Sequence, residues 1–133
     1  ISFAISLDSE NSKICFSSSI SPELGDFTGD KVKLEEVVLN LLRNAKDAVK
    51  EDGVITLSAE KENSQMVIRC TDNGCGIPDD ETDRIFVPFF SHKEGGTGLG
   101  LSLSRRIVEA HRGTISASSS HETGTVFTVI LPV

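Results

Sequence analysis

Apolar residues alternate with small or polar ones at the start of the chain: Ile1, Phe3, Ile5 and Leu7, then Ile14, Phe16 and, less regularly, Ile20. Alternation with period two marks half-buried strands, and the polar stretch "DSENSK" between the two runs predicts a hairpin. The period then changes. After the punctuating "SPELGDFTGD", Leu34, Val38, Leu41, Leu42, Ala45 and Val49 recur at helical spacing. Asp30 is placed to cap this helix near Lys31, and Gly53 to end it. "VITLSAEKENSQMVIRCTD" returns to alternation and predicts two strands around the turn "KENS". A short helix is expected over residues 81–86 and a loop over 87–98. A second long helix is expected over 99–112, with Leu99, Leu103, Ile107 and Ala110 on one side. "TISASSS" and "TVFTVILPV" close the chain as an antiparallel pair around "HETG". The order ββ–α–ββ–short α–α–ββ predicts an α+β fold: a mixed or antiparallel sheet with helices packed on one face.

A length of 133 residues favours a single domain with one core, spanning residues 1–133. Hydrophobic residues make up 38% and charged residues 25%, a globular balance that argues against disorder. The net charge of -7 argues against a nucleic-acid surface. No apolar run approaches a membrane span, and the acidic flank of "ISFAISLDSEN" does not fit a secretory signal. Cys15, Cys70 and Cys75 form no C-x-x-C pair, and their odd number points to a reduced, cytoplasmic setting. His92, His111 and His121 lack helical metal-binding spacing. The chain opens inside a strand-like pattern without an initiator Met, which suggests a piece of a longer protein.

Three features call for chemistry beyond a core. Asn40 and Asn44 stack one turn apart on the shoulder of the first helix's apolar stripe. Asn competes for backbone hydrogen bonds and is a mediocre helix former. Two readings stay open: polar residues bordering the core, or an amide oxygen aimed at a hard cation such as magnesium. "DNGCGIPDD", residues 72–80, puts a carboxylate at a strand end with two glycines just beyond it. "GGTGLGLS", residues 95–102, places glycines before a helix N-terminus, where N–H groups attract anions. Leu101 stands where a P-loop needs lysine, and no strand directly precedes the glycines as a Rossmann turn requires.

Taken in order, these boxes resemble the ATP-binding catalytic domain of sensor histidine kinases, within the GHKL superfamily. "LEEVVLNLLRNAKDAV" is similar to its N box and "DNGCGIP" to its first glycine box. "FVPFFSHK" is similar to the F box, "GGTGLGLS" to the second glycine box, and "GTVFTVILP" to the terminal hairpin. The resemblance covers roughly residues 28–133 and is nearest to the nitrogen-regulatory type. It implies a Bergerat-type two-layer sandwich, a mixed, mostly antiparallel sheet with helices on one face and a mobile ATP lid.

The resemblance also implies roles. Asp72 would accept a hydrogen bond from the adenine amino group, with Gly74 and Gly76 letting the backbone pass close to base and ribose. Asn44 would ligate Mg2+, and Asn40 would lie beside the phosphates. Gly96, Gly98 and Gly100 would present N–H groups to the phosphates, with Ile77, Thr97 and Leu99 as neighbouring contacts. Lys93 would add a point charge, against the plainer reading of a solvated loop lysine. Arg43 and Asp47 face the polar side of the N box, and Asp47 reads equally as a water ligand of the metal or as a solvated residue. Thr125 would reach adenine through water, or serve only as a β-branched strand residue. Asp72 has a plainer reading too, as the Asx residue of the "DNG" turn. Phe86, Phe89 and Phe90 are core residues, pins of a lid over residues 78–98, or docking contacts for a partner helix.

None of the three histidines stands in a phosphoacceptor context. The resemblance therefore implies half an enzyme: a domain that binds Mg-ATP and delivers the γ-phosphoryl group to a histidine on a separate dimerisation domain, which in turn serves a response regulator. No nucleic acid and no membrane contact are expected of this domain, which would be a monomer in isolation. GHKL ATPases carry Glu where Asn40 stands, and an amide cannot take a proton from water. A GHKL serine kinase and a non-catalytic nucleotide-dependent switch remain the alternatives.

Overall fold

In a computed structural model of the protein, the residues described are 15–20, 30–49, 53–74, 76–77, 81–82, 84–88, 100–120 and 124–132. The first arm of the expected N-terminal hairpin lies outside them, as do Cys75, Phe89, Phe90, Lys93, Gly96, Thr97, Gly98 and Leu99. Among these residues the elements are β1 (Cys15–Ile20), α1 (Lys31–Ala48), β2 (Val54–Glu62), β3 (Gln65–Asp72), a 3-10 turn (Arg84–Phe86), α2 (Gly100–Ala110), β4 (Thr114–Ser120) and β5 (Gly124–Pro132).

Five strands form one sheet in the order β1-β2-β3-β5-β4. The β1–β2 pair is parallel and the other three pairs are antiparallel. Parallel neighbours need a long crossover, which α1 supplies between β1 and β2. β2 and β3 are joined by a two-residue turn in which Asn63 (φ 50) and Ser64 (φ 64) are both left-handed. That conformation matches the natural twist of paired strands.

Strand alternation sorts the side chains. Ile55, Leu57 and Ala59 of β2, Met66, Ile68 and Cys70 of β3, and Phe127, Val129 and Leu131 of β5 are buried together in one cluster with the helices. Register aligns them in rows: Leu57, Cys70 and Phe127 pair across three strands, as do Ala59, Ile68 and Val129. From α1 come Leu34, Val37, Val38, Leu41, Leu42 and Ala45, and from α2 Ile107 and Val108. Fully burying an aliphatic side chain of this size stabilises by ~1.5–3 kcal/mol, so this layer dominates the fold's energetics. Phe86 joins it edge-on to Phe127, with centroids 6.4 Å apart at 87°. Of the readings of Phe86, the core one holds.

Asp30 caps α1 as the sequence suggests, accepting the Lys33 N–H at 3.1 Å. Four details differ from expectation. First, α1 ends at Ala48 rather than near Gly53, and Val49 turns out into extended backbone (φ -88, ψ 152). Residues 72–74 cross the helix end there, and Gly74 lies against the Ala48 carbonyl. Second, the buried face of α1 is wider than the stripe, because α2 packs along its shoulder and buries Val37 and Asn40 as well. Third, α2 spans Gly100–Ala110, and its buried positions are Ser102, Ser104, Ile107 and Val108, with Ala110 exposed. Of the expected line, Ile107 is in the core and Leu103 packs partly buried against it, while Ala110 is exposed and Ser104 and Val108 join the buried face. Its C-terminus closes in a Schellman motif: the Gly113 N–H reaches Val108 O, the Arg112 N–H reaches Glu109 O, and Arg112 is left-handed (φ 63). Fourth, where the short helix is expected over 81–86, Arg84–Phe86 form a 3-10 turn.

Gly124 opens β5 at φ +90, and a Cβ there would overlap the Asp72 carbonyl oxygen and lie 2.7 Å from the Asn73 Cα. Both obstacles are backbone, so no rotamer change relieves them. Gly124→Ala is expected to lower the stability of the chain by about 1–3 kcal/mol, read as a shift in its urea midpoint. A midpoint equal to that of the unsubstituted chain would contradict this packing.

Candidate functional site

Asp72 ends the central strand β3, paired with Thr125 at the start of β5. Its side chain is 2% exposed, yet it carries a carboxylate. Its oxygens are met by backbone donors, the Gly74 N–H at 2.8 Å and the Thr125 N–H. Burial raises the Asp72 pKa above the ordinary value of 3.8, while the two N–H groups pull it back down. The Gly74 bond is an Asx turn, so that plainer reading is correct as far as it goes. A turn alone does not require the carboxylate to be buried. Next along, Asn73 fixes the turn to β2: its Oδ1 accepts the Val54 N–H at 2.8 Å and its own N–H donates to Val54 O at 3.3 Å. Beneath Asp72, burial first and the nearby Asp72 charge second push the Cys70 thiol up to about 12, which makes it an inert core residue.

The first glycine has an internal cause. A Cβ on Gly74 would overlap the Ala48 carbonyl and lie 2.9 Å from the Ala48 Cβ. Gly74 thus brings the loop after Asp72 against the end of α1, joining the first glycine box to the N box. Gly76 is left-handed (φ 76). The Ile77 N–H then donates to the hydroxyl of Ser119 on β4, which lies 3.3 Å from the Thr125 hydroxyl.

The two asparagines of α1 are held differently. Asn40 is 9% exposed, and its Nδ2 donates to the Gly100 carbonyl and to the Ser104 hydroxyl, each at 3.2 Å. Ser104 Oγ in turn donates to Gly100 O at 2.9 Å. Asn40 therefore fastens α1 to the first turn of α2. Asn44, half-buried, donates its Nδ2 to the Asn40 carbonyl at 3.0 Å. A Cβ on Gly100 would meet Asn40 at an unstrained 3.7 Å, so packing does not demand a glycine there.

Of the residues singled out in the sequence, the structure gathers Asp72, Gly74, Gly76, Ile77 and Thr125 at one end of the sheet. It gathers Asn40, Asn44 and Gly100 where α1 meets α2. Arg43 and Asp47 are exposed on α1. Sequence reasoning missed Asn73, Ser104, Ser119 and Gly124. Asn73, inside the "DNG" turn, and Gly124, at the end of the turn "HETG", gave local signals, whereas Ser104 and Ser119 gave none.

The pKa direction sets a test. The folded state holds the Asp72 proton more tightly than the unfolded chain, so this group's contribution to stability falls as pH rises through its folded pKa. At neutral pH the buried charge opposes folding. Asp72→Asn is expected to be at least as stable as the unsubstituted chain at pH 7, with the difference narrowing as pH falls toward 3.8. Urea melts across pH measure this, and a pH-independent loss of stability would contradict it.

The sequence profile of the Histidine kinase-, DNA gyrase B-, and HSP90-like ATPase family matches residues 29–133. Signal transduction histidine-protein kinase AtoS of Escherichia coli is 42% identical over 122 residues, 91% of this chain and 20% of that protein. Sporulation kinase B of Bacillus subtilis is 42% identical over 105 residues, 78% of this chain and 24% of that protein. The chain thus spans about a quarter or less of these two relatives. Among solved structures, the catalytic domain of histidine kinase ThkA superposes with a TM-score of 0.81 at 34% identity, covering 90% of this chain and 79% of that one. Full-length ShkA in complex with AMPPNP superposes equally well, with a TM-score of 0.81 at 27% identity over 90% of this chain and 25% of that one. The α+β sandwich, its N box and its paired glycine boxes place this chain in the Histidine kinase-, DNA gyrase B-, and HSP90-like ATPase family, as a catalytic domain of the protein-histidine kinase type.

Proposed function

We propose that this chain binds Mg-ATP and donates the γ-phosphoryl group to a histidine on a separate helical dimerisation domain in two-component signalling. The observation that carries the reading is the buried carboxylate of Asp72 at the end of β3, met among the described residues by backbone donors. A buried acceptor of this kind suits a ligand N–H, and the amino group of adenine supplies one. Guanine offers a carbonyl lone pair at the same position and would be repelled. The complex of ShkA with AMPPNP, at 27% identity, supports a nucleotide in this fold.

The residues fit the metal as well. Among the described residues no group of three His, Cys, Asp or Glu side chains could hold an ion unaided. A magnesium ion here would take most of its ligands from phosphates and water, as this ion commonly does. Asn44 would hold it: its nitrogen bonds the α1 backbone, so the oxygen is the end suited to a hard cation. Bound magnesium supplies charge neutralisation at the phosphates. Gly100 begins α2, whose N-terminal N–H groups would face them. Asn40 fastens α2's first turn to α1 and offers no basic atom with which to activate water. This favours transfer to a protein acceptor over ATP hydrolysis. The acceptor histidine, its general base and the response regulator lie on other domains or proteins.

Asn44→Ala is expected to weaken Mg·ATP binding about tenfold or more, on the ~1.5–3 kcal/mol scale of a charge-assisted contact, and metal-free ATP far less. Calorimetric titration with and without magnesium separates the two, and equal losses would assign Asn44 to packing. Incubated alone with Mg-ATP, the chain is expected to show neither self-phosphorylation nor fast hydrolysis. A phosphoacceptor domain of this kinase type, added in trans, is expected to gain acid-labile phosphate on its histidine, and linking the two chains should raise the rate through effective concentration. Acid-stable phosphoserine on the partner, or turnover that the partner does not change, would overturn the proposal.

A further inference from the structure

One side chain at the base end of the site has no role in the reading above. Ser119 lies near the end of β4, in register with Thr125 of β5. Its hydroxyl accepts the Ile77 N–H, lies 3.3 Å from Thr125 Oγ1 and lies 3.4 Å from the Gly124 carbonyl. One hydroxyl therefore touches both the backbone after the glycine box and the first two residues of β5. Thr125 is 3% exposed and gives its own N–H to Asp72, so whatever orients Thr125 acts beside the buried carboxylate.

A serine hydroxyl has one proton and two lone pairs. The Ile77 N–H occupies one lone pair. If the proton goes to Gly124 O, the second lone pair accepts the Thr125 proton, and Thr125 offers only lone pairs to a ligand. If the proton goes to Thr125 Oγ1, the Thr125 proton is turned outward. The Watson–Crick edge of adenine presents an amino donor beside a ring-nitrogen acceptor, and that of guanine presents the reverse. An acceptor at Asp72 paired with an outward proton at Thr125 complements adenine, directly or through one water.

We propose that Ser119 is a positioning residue for the nucleotide base: it fastens the Ile77 backbone to β4 and turns the Thr125 proton toward the ligand. The proposal rests on the nucleotide reading of the site and adds a residue that sets base preference without touching the base. The hydroxyl is isolated by comparing Ser119→Thr with Ser119→Val, side chains of like shape of which only Thr keeps the oxygen, with Ser119→Ala alongside. Each variant is titrated with ATP and with GTP in the presence of magnesium, and its thermal melt is recorded. Ser119→Val and Ser119→Ala are expected to bind ATP about tenfold more weakly than the unsubstituted chain, about 1.4 kcal/mol, with a severalfold drop in the ATP-to-GTP preference. Ser119→Thr is expected to restore both. An unchanged preference in Ser119→Val, whether or not its melt is lowered, would overturn the proposal, because a purely structural hydroxyl would weaken both nucleotides alike. Failure of the unsubstituted chain to bind ATP would overturn the nucleotide reading itself. Intact binding with an indifferent Ser119 would overturn the positioning role alone.

Discussion

The structure is organised around a carboxylate kept out of water. Asp72 sits at the end of the strand that runs through the middle of the sheet, and its ionised form is opposed by burial. An unpaired buried charge is tolerated only where the surroundings supply hydrogen bonds. Here the donors are main-chain groups: Gly74, through a turn that the end of α1 hems in, and Thr125, through the register of β3 and β5. Backbone donors bring no counter-charge, so the carboxylate keeps its capacity as an acceptor for a ligand. The nearness of Gly74 to Ala48 and of Gly124 to the Asp72 carbonyl follows from crowding main chain around this one side chain.

The second cluster follows a different logic. Asn40, Ser104 and Gly100 form a small polar lock between two helices that also share the apolar core. Apolar packing would leave the first turn of α2 some freedom to slide along α1. A buried amide bonded both to a carbonyl and to a hydroxyl sets one register, because slippage would strand a desolvated polar group. Gly74 touches the end of α1, which links the turn after Asp72 to the helix that carries Asn40. At the far end of the helix pair, His111 Nε2 accepts the Asp30 N–H at 3.0 Å and Nδ1 donates to Ile107 O at 2.8 Å, tying the start of α1 to the end of α2.

Much of this was legible in the sequence because the signals were local. The Asp30 cap, the alternation of β2, β3 and β5, and the Asn-Ser turn each rest on residues within one or two turns of one another, and the five boxes in order identified the sandwich. What escaped the sequence was long-range. The width of α1's buried face depends on α2, some 60 residues later, so the sequence alone leaves open whether Asn40 borders the core or faces a ligand. The early end of α1 depends on Gly74, 26 positions beyond Ala48. Ser104 and Ser119 carry no periodic or motif signal, since a buried serine and an exposed one look alike in a single sequence. Asp72 shows the overlap most clearly. The pattern supported both an Asx turn and a ligand site, and one oxygen does make the Asx turn.

The glycines of the site separate two kinds of evolutionary pressure. At 74 and 124 a single methyl group would strike main chain of the protein itself, whereas at 100 it would rest in ordinary contact with Asn40. A descendant of this chain that had lost nucleotide altogether would still be obliged to keep the first two, and would be released only from the third. Retention of the "DNG" glycine in a lineage is therefore no record of catalysis by itself, because folding alone demands it. Drift at the start of α2 is the trace by which a kinase domain that has become a silent scaffold would be recognised.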